Sequence, residues 1–300
     1  MGTIALKIDV DTYRGTREGV PRLAAALERA GARATFLFSV GPDHTGRALK
    51  RVFRRGFLGK VRRTSVTQHY GVKTLMYGVL LPGPHIGRRC GEVMREVARR
   101  GLEVGVHTYD HIKWQDGVAR AGEPWTRRQL VLARDEFIRV FDRAPEAHGA
   151  AGWQVNRSVP GLERELGFRY ASDVRGVSPF VPIVGGMEVP VPQLPTTLPT
   201  LDELIGREDL GGVDPVEHLL ALTQPGGGDQ VFTLHAELEG GAYLEGFERL
   251  LRAWRSRGFD LTDLGSYART LEIARLPRCE IVSGTVAGRS GTLALQGPAS

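Results

Sequence analysis

IALKIDVDTYRGTREGVPRLAAALERAGARATFLFSV, residues 4–40, reads as strand, helix, strand. Ile4, Leu6, Ile8 and Val10 alternate with other residues, the period of a strand that lays one face on a core. Asp9 and Asp11 fall where that strand should end. Val20, Leu23, Ala24 and Leu27 then recur at helical spacing, and Gly31 supplies a C-terminal stop. A second β-rich run, ATFLFSV at 34–40, is closed by Gly41 and Pro42.

The alternation continues outward from this unit. The pattern predicts a helix at 86–100, a strand at 103–107 and a helix at 127–143, the last with Leu130, Ala133, Phe137, Ile138 and Phe141 on one face. A shorter helix at 159–168 precedes a strand at 169–173, and strand 230–235 (QVFTLH) precedes an amphipathic helix at 243–257. Strands alternating with helices imply an α/β fold with a parallel sheet. Their number suits an incomplete (β/α) barrel, whose active residues belong at the carboxyl ends of strands. The proline-rich stretch 179–199 reads as an irregular connection, packed on the surface or bordering the site. No repeat or linker divides the chain. The expected organisation is one domain over 1–283, carrying a basic insertion at about 46–63, and a small, Gly-rich tail at 284–300, partly disordered.

Composition narrows the class. Cys90 and Cys279 are the two cysteines, which gives neither a disulfide framework nor a thiolate metal site. The run Met1–Val10 is too short for a signal peptide and is interrupted by Lys7 and Asp9. No stretch approaches the roughly 20 apolar residues of a spanning helix. The expectation is a cytoplasmic protein.

Polar groups cluster at three strand ends. In Asp9-Val10-Asp11 the carboxylates lie two apart and share one side of a strand, facing either a cavity or solvent. In His107-Thr108-Tyr109-Asp110-His111 two imidazoles four apart converge if the chain turns helical after its strand. With a carboxylate nearby they form a two-histidine, one-carboxylate metal site with open positions; otherwise they are unrelated loop histidines. His235 ends an otherwise apolar strand, where a lone histidine is more often structural than catalytic. All three features converge on one barrel mouth.

The order Asp-x-Asp, H-T-Y-D-H and a late T-L-H resembles the polysaccharide-deacetylase (NodB-like) carbohydrate esterases. The strings KIDVDTYRGTREGVPRL, FSVGPD, AAGW, YASDVRG, LPTLDELIGR and HAELEGGAY are more similar still to one branch. That branch comprises deformylases of 4-deoxy-4-formamido-L-arabinose carried on undecaprenyl phosphate, and the resemblance runs from Ile4 to about Gly291. It implies a distorted, incomplete (β/α) barrel. It further implies Asp9 as general base, Asp11, His107 and His111 as ligands of a divalent metal, His235 as general acid and Asp173 as a supporting acid. Zinc, cobalt, manganese or nickel all suit such ligands. The implied partner is the polyprenyl-phosphate-linked aminosugar, in a step that modifies lipid A and is associated with polymyxin resistance. Ala150-Ala151-Gly152-Trp153 departs from the pattern, because the family's arginine is missing there. Arg175 and Arg14 are the candidate partners of Asp9. The rival readings are an N-deacetylase of peptidoglycan or another N-acetyl sugar, and a non-catalytic lipid-carrier binding protein.

The net charge of +6 is concentrated in GRALKRVFRRGFLGKVRR, residues 46–63, which holds no acidic residue. Leu49, Val52, Phe53 and Phe57 follow helical spacing among Lys50, Arg51, Arg54 and Arg55. Basic amphipathic helices of this kind lie on anionic membranes. Lys50, Arg51, Phe53, Arg54, Arg55 and Phe57 are therefore candidate lipid-phosphate and membrane contacts. The alternatives are a solvated helix packed by its Phe face and a nucleic-acid patch; the latter lacks a stacking platform, so no nucleic acid is expected. The implied location is peripheral, on the cytoplasmic face of the bacterial inner membrane.

Overall fold

The computed structural model describes residues 2–48 and 72–299. The larger sheet is built from parallel strands β1 (Thr3–Val10), β2 (Thr35–Ser39), β3 (Glu103–Thr108), β4 (Ala147–His148), β5 (Tyr170–Ala171), β8 (Gln230–His235) and β9 (Asp260–Thr262). Their order is β5-β4-β3-β2-β1-β8, with β9 beside the start of β1. The sheet is the incomplete parallel barrel that the alternation implies. Strand β1 pairs with β2, β8 and β9, and the period of two divides its side chains cleanly between the two faces. Ile4, Leu6, Ile8 and Val10 pack under the helices with Leu23 and Leu27, while Ala5 packs inside with Leu37 and Val231.

Helices α1 (Val20–Ala30), α2 (Ile86–Arg99), α3 (His111–Gly117), α4 (Glu123–Phe141), α5 (Val159–Leu166), α6 (Pro215–Leu222), α7 (Leu244–Ser256) and α8 (Leu264–Thr270) connect the strands. Gly31 ends α1 at φ 60°, as the sequence pattern requires. Helix α4 begins four residues before the apolar periodicity does, because Pro124 can open a helix. The strand expected at 169–173 shortens to Tyr170–Ala171, since beyond it the chain must deliver Ser172 and Asp173 to buried partners.

Two expectations are corrected. The stretch 179–199 is not wholly irregular: it forms β6 (Val181–Val184) and β7 (Met187–Glu188). The stretch 284–300 is not a loose tail, because β11 (Leu293–Ala299) pairs antiparallel with β10 (Arg278–Gly284). Together they build a second sheet in the order β11-β10-β6-β7, which buries Val174, Phe180, Cys279 and Ala294. Strand β11 escaped the sequence reading because LALQGPA contains Gly297 and Pro298, residues that ordinarily mark turns rather than strands. The basic segment lies for the most part at 49–71, so Lys50, Arg51, Phe53, Arg54, Arg55 and Phe57 fall outside the described residues. No helix among the described residues is long and apolar enough to cross a membrane.

Truncation after Gly284 tests the second sheet. Loss of buried Leu293 and Ala294 is expected to lower stability by about 2 kcal/mol or more in a denaturant melt. An unchanged midpoint would restore the reading of a dispensable tail.

Candidate metal centre

The period of β1 puts Lys7, Asp9 and Asp11 on one side, inside the barrel, and all three are buried. Asp9 stands directly across the β1–β8 ladder from His235. Strand β3 delivers His107, and the first turn of α3 delivers His111. That turn is fixed by Asp110, which accepts from Lys113 N at 3.1 Å and contacts His44 Nδ1 at 2.6 Å.

Asp11 Oδ1 lies 3.3 Å from His107 Nε2 and 3.4 Å from His111 Nε2. Donors around a tetrahedral ion with bonds of 2.0–2.2 Å stand about 3.3–3.6 Å apart, so this spacing fits a divalent metal. Asp11 Oδ1 is buried with no hydrogen-bond partner, which the donor set of one carboxylate and two imidazoles explains. His107 Nδ1 donates to the Gly149 carbonyl at 2.6 Å, which leaves Nε2 unprotonated and aimed at Asp11. Burial works against ionised Asp11, yet His111, His107 and His235 together hold its carboxyl well below the usual carboxylate range.

The turn after β1 is fixed from β8. Glu237 accepts from Asp11 N at 3.2 Å, Thr12 N at 2.9 Å and Thr12 Oγ1 at 2.7 Å. Burial, and next the charge of Asp11, push the Glu237 carboxyl up to about 8. Glu239 accepts from His235 N at 2.8 Å, and burial pushes its carboxyl up to about 7.

The cation beside Asp9 is Lys7. Its Nζ lies 3.4 Å from Asp9 Oδ2, donates to the Ser172 carbonyl at 2.8 Å and sits 5.4 Å from the centre of the Trp153 ring. Neither arginine candidate fills this place. Arg14 pairs with Glu18, while Arg175 donates to Glu203 and to the Leu198 carbonyl. Arg175 and Arg289 also stack on Trp153, at 5.2 Å and 4.7 Å. Thus the Ala-Ala-Gly-Trp departure supplies an aromatic face for cations rather than a cation of its own.

His235 Nδ1 faces Asp202 Oδ1 at 3.7 Å, and its ring meets Trp153 edge-on. Burial pulls the imidazole down, but Asp202, Asp11 and Asp9 outweigh it and raise His235 above the ordinary histidine value. Asp202 is itself bridged to Arg289 at 3.0 Å. Asp173 is not gathered to this mouth: it accepts from Ala150 N at 2.7 Å and Gln193 Nε2 at 2.8 Å, behind the site. The sequence reading missed Lys7, Trp153, Asp202, Glu237, Glu239 and Arg289. Only Lys7 carried a local signal, since it shares the alternation of Asp9 and Asp11.

The half-barrel is a fold shared with solved structures called polysaccharide deacetylases. A protein from Mycobacterium smegmatis assigned to that class superposes with a TM-score of 0.63 at 17% identity, covering 95% of this chain and 96% of its own. At that identity the likeness concerns the fold. No family model matches the chain. Over 297 residues it is 34% identical to a Shewanella sediminis protein called "Probable 4-deoxy-4-formamido-L-arabinose-phosphoundecaprenol deformylase ArnD", across 98% of this chain and 94% of that protein. A Wigglesworthia glossinidia brevipalpis protein of the same name is 31% identical across 94% of this chain and 98% of its own. The chain belongs to the ArnD family of hydrolases.

Metal analysis of single variants tests the donor set. His107→Ala and His111→Ala are each expected to lose bound divalent metal and hydrolytic activity together. Stoichiometric metal retained in both would end this assignment.

Proposed function

We propose that the protein is a metal-dependent N-deformylase of undecaprenyl-phosphate-linked 4-deoxy-4-formamido-L-arabinose, yielding formate and the free aminosugar lipid. The observation that carries this reading is the facing of Asp9 and His235 across the mouth that Asp11, His107 and His111 line. The names of the relatives supply the substrate.

A divalent ion held by those three residues lowers the pKa of water toward about 7 and polarises a carbonyl. Asp9 is the general base. Its Oδ1 is buried without a hydrogen-bond partner, and Lys7 steadies the other oxygen. As water adds to the formyl carbon, its proton passes to Asp9. When the C–N bond breaks, His235 gives a proton to the departing amine, and Asp202 and the other acids around it keep that proton available near neutral pH. A pocket alone separates formyl from acetyl by only about 1–3 kcal/mol, so the choice of deformylase over N-deacetylase rests on the relatives. Both proton-transfer groups stand at the mouth, which favours an enzyme over a non-catalytic lipid-carrier binding protein.

The substrate would bring the protein to the cytoplasmic face of the inner membrane as a peripheral enzyme. The cations and phenylalanines of 46–63 support that location, since each Lys or Arg near an anionic leaflet contributes about 1 kcal/mol.

Formate release from the lipid-linked sugar tests the mechanism. Asp9→Asn and His235→Ala are expected to keep their metal and lose turnover by a factor on the order of 10²–10⁴. A near wild-type rate in either removes that residue from the chemistry. The location is tested separately. Reversing the charges of Arg51, Arg54 and Arg55 should weaken binding to anionic liposomes, most strongly at low salt, and leave hydrolysis of a short-chain soluble analogue intact. Unchanged liposome binding would make the segment structural.

A further inference from the structure

Two backbone carbonyls hold the working groups of the mouth. The Gly149 carbonyl accepts from metal ligand His107, and the Ser172 carbonyl accepts from Lys7. Gly149 follows His148 at the end of β4, and Ser172 precedes Asp173 just past β5. Both carbonyls therefore depend on where those two strand ends stop.

Directly behind them lies a cluster that the hydrolytic chemistry does not use. His148, Glu163 and Asp173 are fully buried. His148 Nδ1 lies 2.5 Å from Glu163 Oε1 and 3.1 Å from Asp173 Oδ1. Asp173 Oδ1 also accepts from Ala150 N, and Ser172 N donates to the His148 carbonyl at 2.8 Å. The residues on either side of both carbonyls are thereby tied together. Little space remains for them to slide: a methyl at Gly149 would stand 2.4 Å from Leu37 Cδ1 and 3.2 Å from Lys7 Cε.

Burial alone would lower the His148 imidazole, but Asp173 and Glu163 raise it to about 10. Burial opposes ionised Asp173, yet His148 brings it down to about 2. Burial and the charge of Asp173 push Glu163 well above the carboxylate range. These residues also satisfy a rough donor count for a cation. Their separations of 2.5 and 3.1 Å are nevertheless those of a hydrogen bond and an ion pair, below the about 3.3–3.6 Å of tetrahedral donors.

We infer that the buried His148–Glu163–Asp173 triad is a positioning device that sets the Gly149 and Ser172 carbonyls, and through them His107 and Lys7. It rests on the reading of Asp11, His107 and His111 as metal ligands. It gives Asp173 its supporting part at one remove, through the backbone, and enlists His148 and Glu163 for the same purpose. Replacing a buried ionic cluster by apolar residues is often neutral for stability, so stability alone does not account for this one.

The test is titration of the full chain with Zn²⁺ or Co²⁺, read as affinity and stoichiometry apart from turnover. Asp173→Asn and His148→Asn are expected to weaken metal binding by about 10–100-fold although all three ligands remain. Glu163→Ala should weaken it by about 10-fold. Glu163→Gln should restore the affinity to within about threefold, because an amide oxygen can still accept from His148 Nδ1 as Glu163 Oε1 does. The wild type should bind one ion per chain. Wild-type affinity in folded Asp173→Asn or His148→Asn protein would overturn the inference. So would failure of Glu163→Gln to recover what Glu163→Ala loses, or a second ion that His148→Asn removes. Should Asp173→Asn and His148→Asn fail to fold, the Glu163 pair and the stoichiometry still decide. Failure of the ligand reading itself looks different: it appears as metal retained in His107→Ala.

Discussion

A row of three charged side chains, Lys7, Asp9 and Asp11, is buried on one side of one strand, and the surrounding fold is organised to compensate it. Period-two geometry leaves no choice of direction once Ile4, Leu6, Ile8 and Val10 are committed to the helix layer. Burying unpaired charge costs several kcal/mol per group, so each member must find partners. Lys7 finds the Ser172 carbonyl, the Trp153 face and Asp9. Asp11 finds two imidazoles and backbone held by Glu237, and still keeps one oxygen without a hydrogen bond. That residual demand is one that a divalent ion would satisfy.

The same compensation is repeated in wider rings. Trp153 gathers Lys7, Arg175 and Arg289, and the two arginines answer to Glu203 and Asp202. Asp202 in turn faces His235, so Arg289, from the loop between β10 and β11, shapes the field at that imidazole. Second-layer partners of this kind decide ligand orientation and basicity as much as the ligands do. The part of the chain most easily dismissed as a tail thereby contributes to the site.

Legibility in the sequence followed the range of each interaction. Strand β1, the His107/His111 pair and His235 could be read because alternation, four-residue spacing and strand ends are local signals. Lys7 was readable in principle from the same alternation, yet its partners Ser172 and Trp153 lie far along the chain, so a buried lysine looked like an interruption. Arg175 and Arg14 were candidate cations for Asp9 by residue type alone; Arg175 is instead buried against Glu203, and Arg14 pairs with Glu18. The second sheet hid behind prolines and glycines, because β6 and β7 are short and the partners of β11 include distant Arg175. His148 and Glu163 carried no signal at all, since one sits in a two-residue strand and the other within an ordinary amphipathic helix.

The account stands on the claim that Asp11, His107 and His111 hold an ion the reaction requires. The most direct measurement is formate release from the lipid-linked formamido sugar by the wild-type protein, first stripped of metal by a chelator and then resupplied. The account predicts that release stops in the stripped protein and returns at one equivalent of divalent metal. Full activity in demonstrably metal-free protein would contradict it.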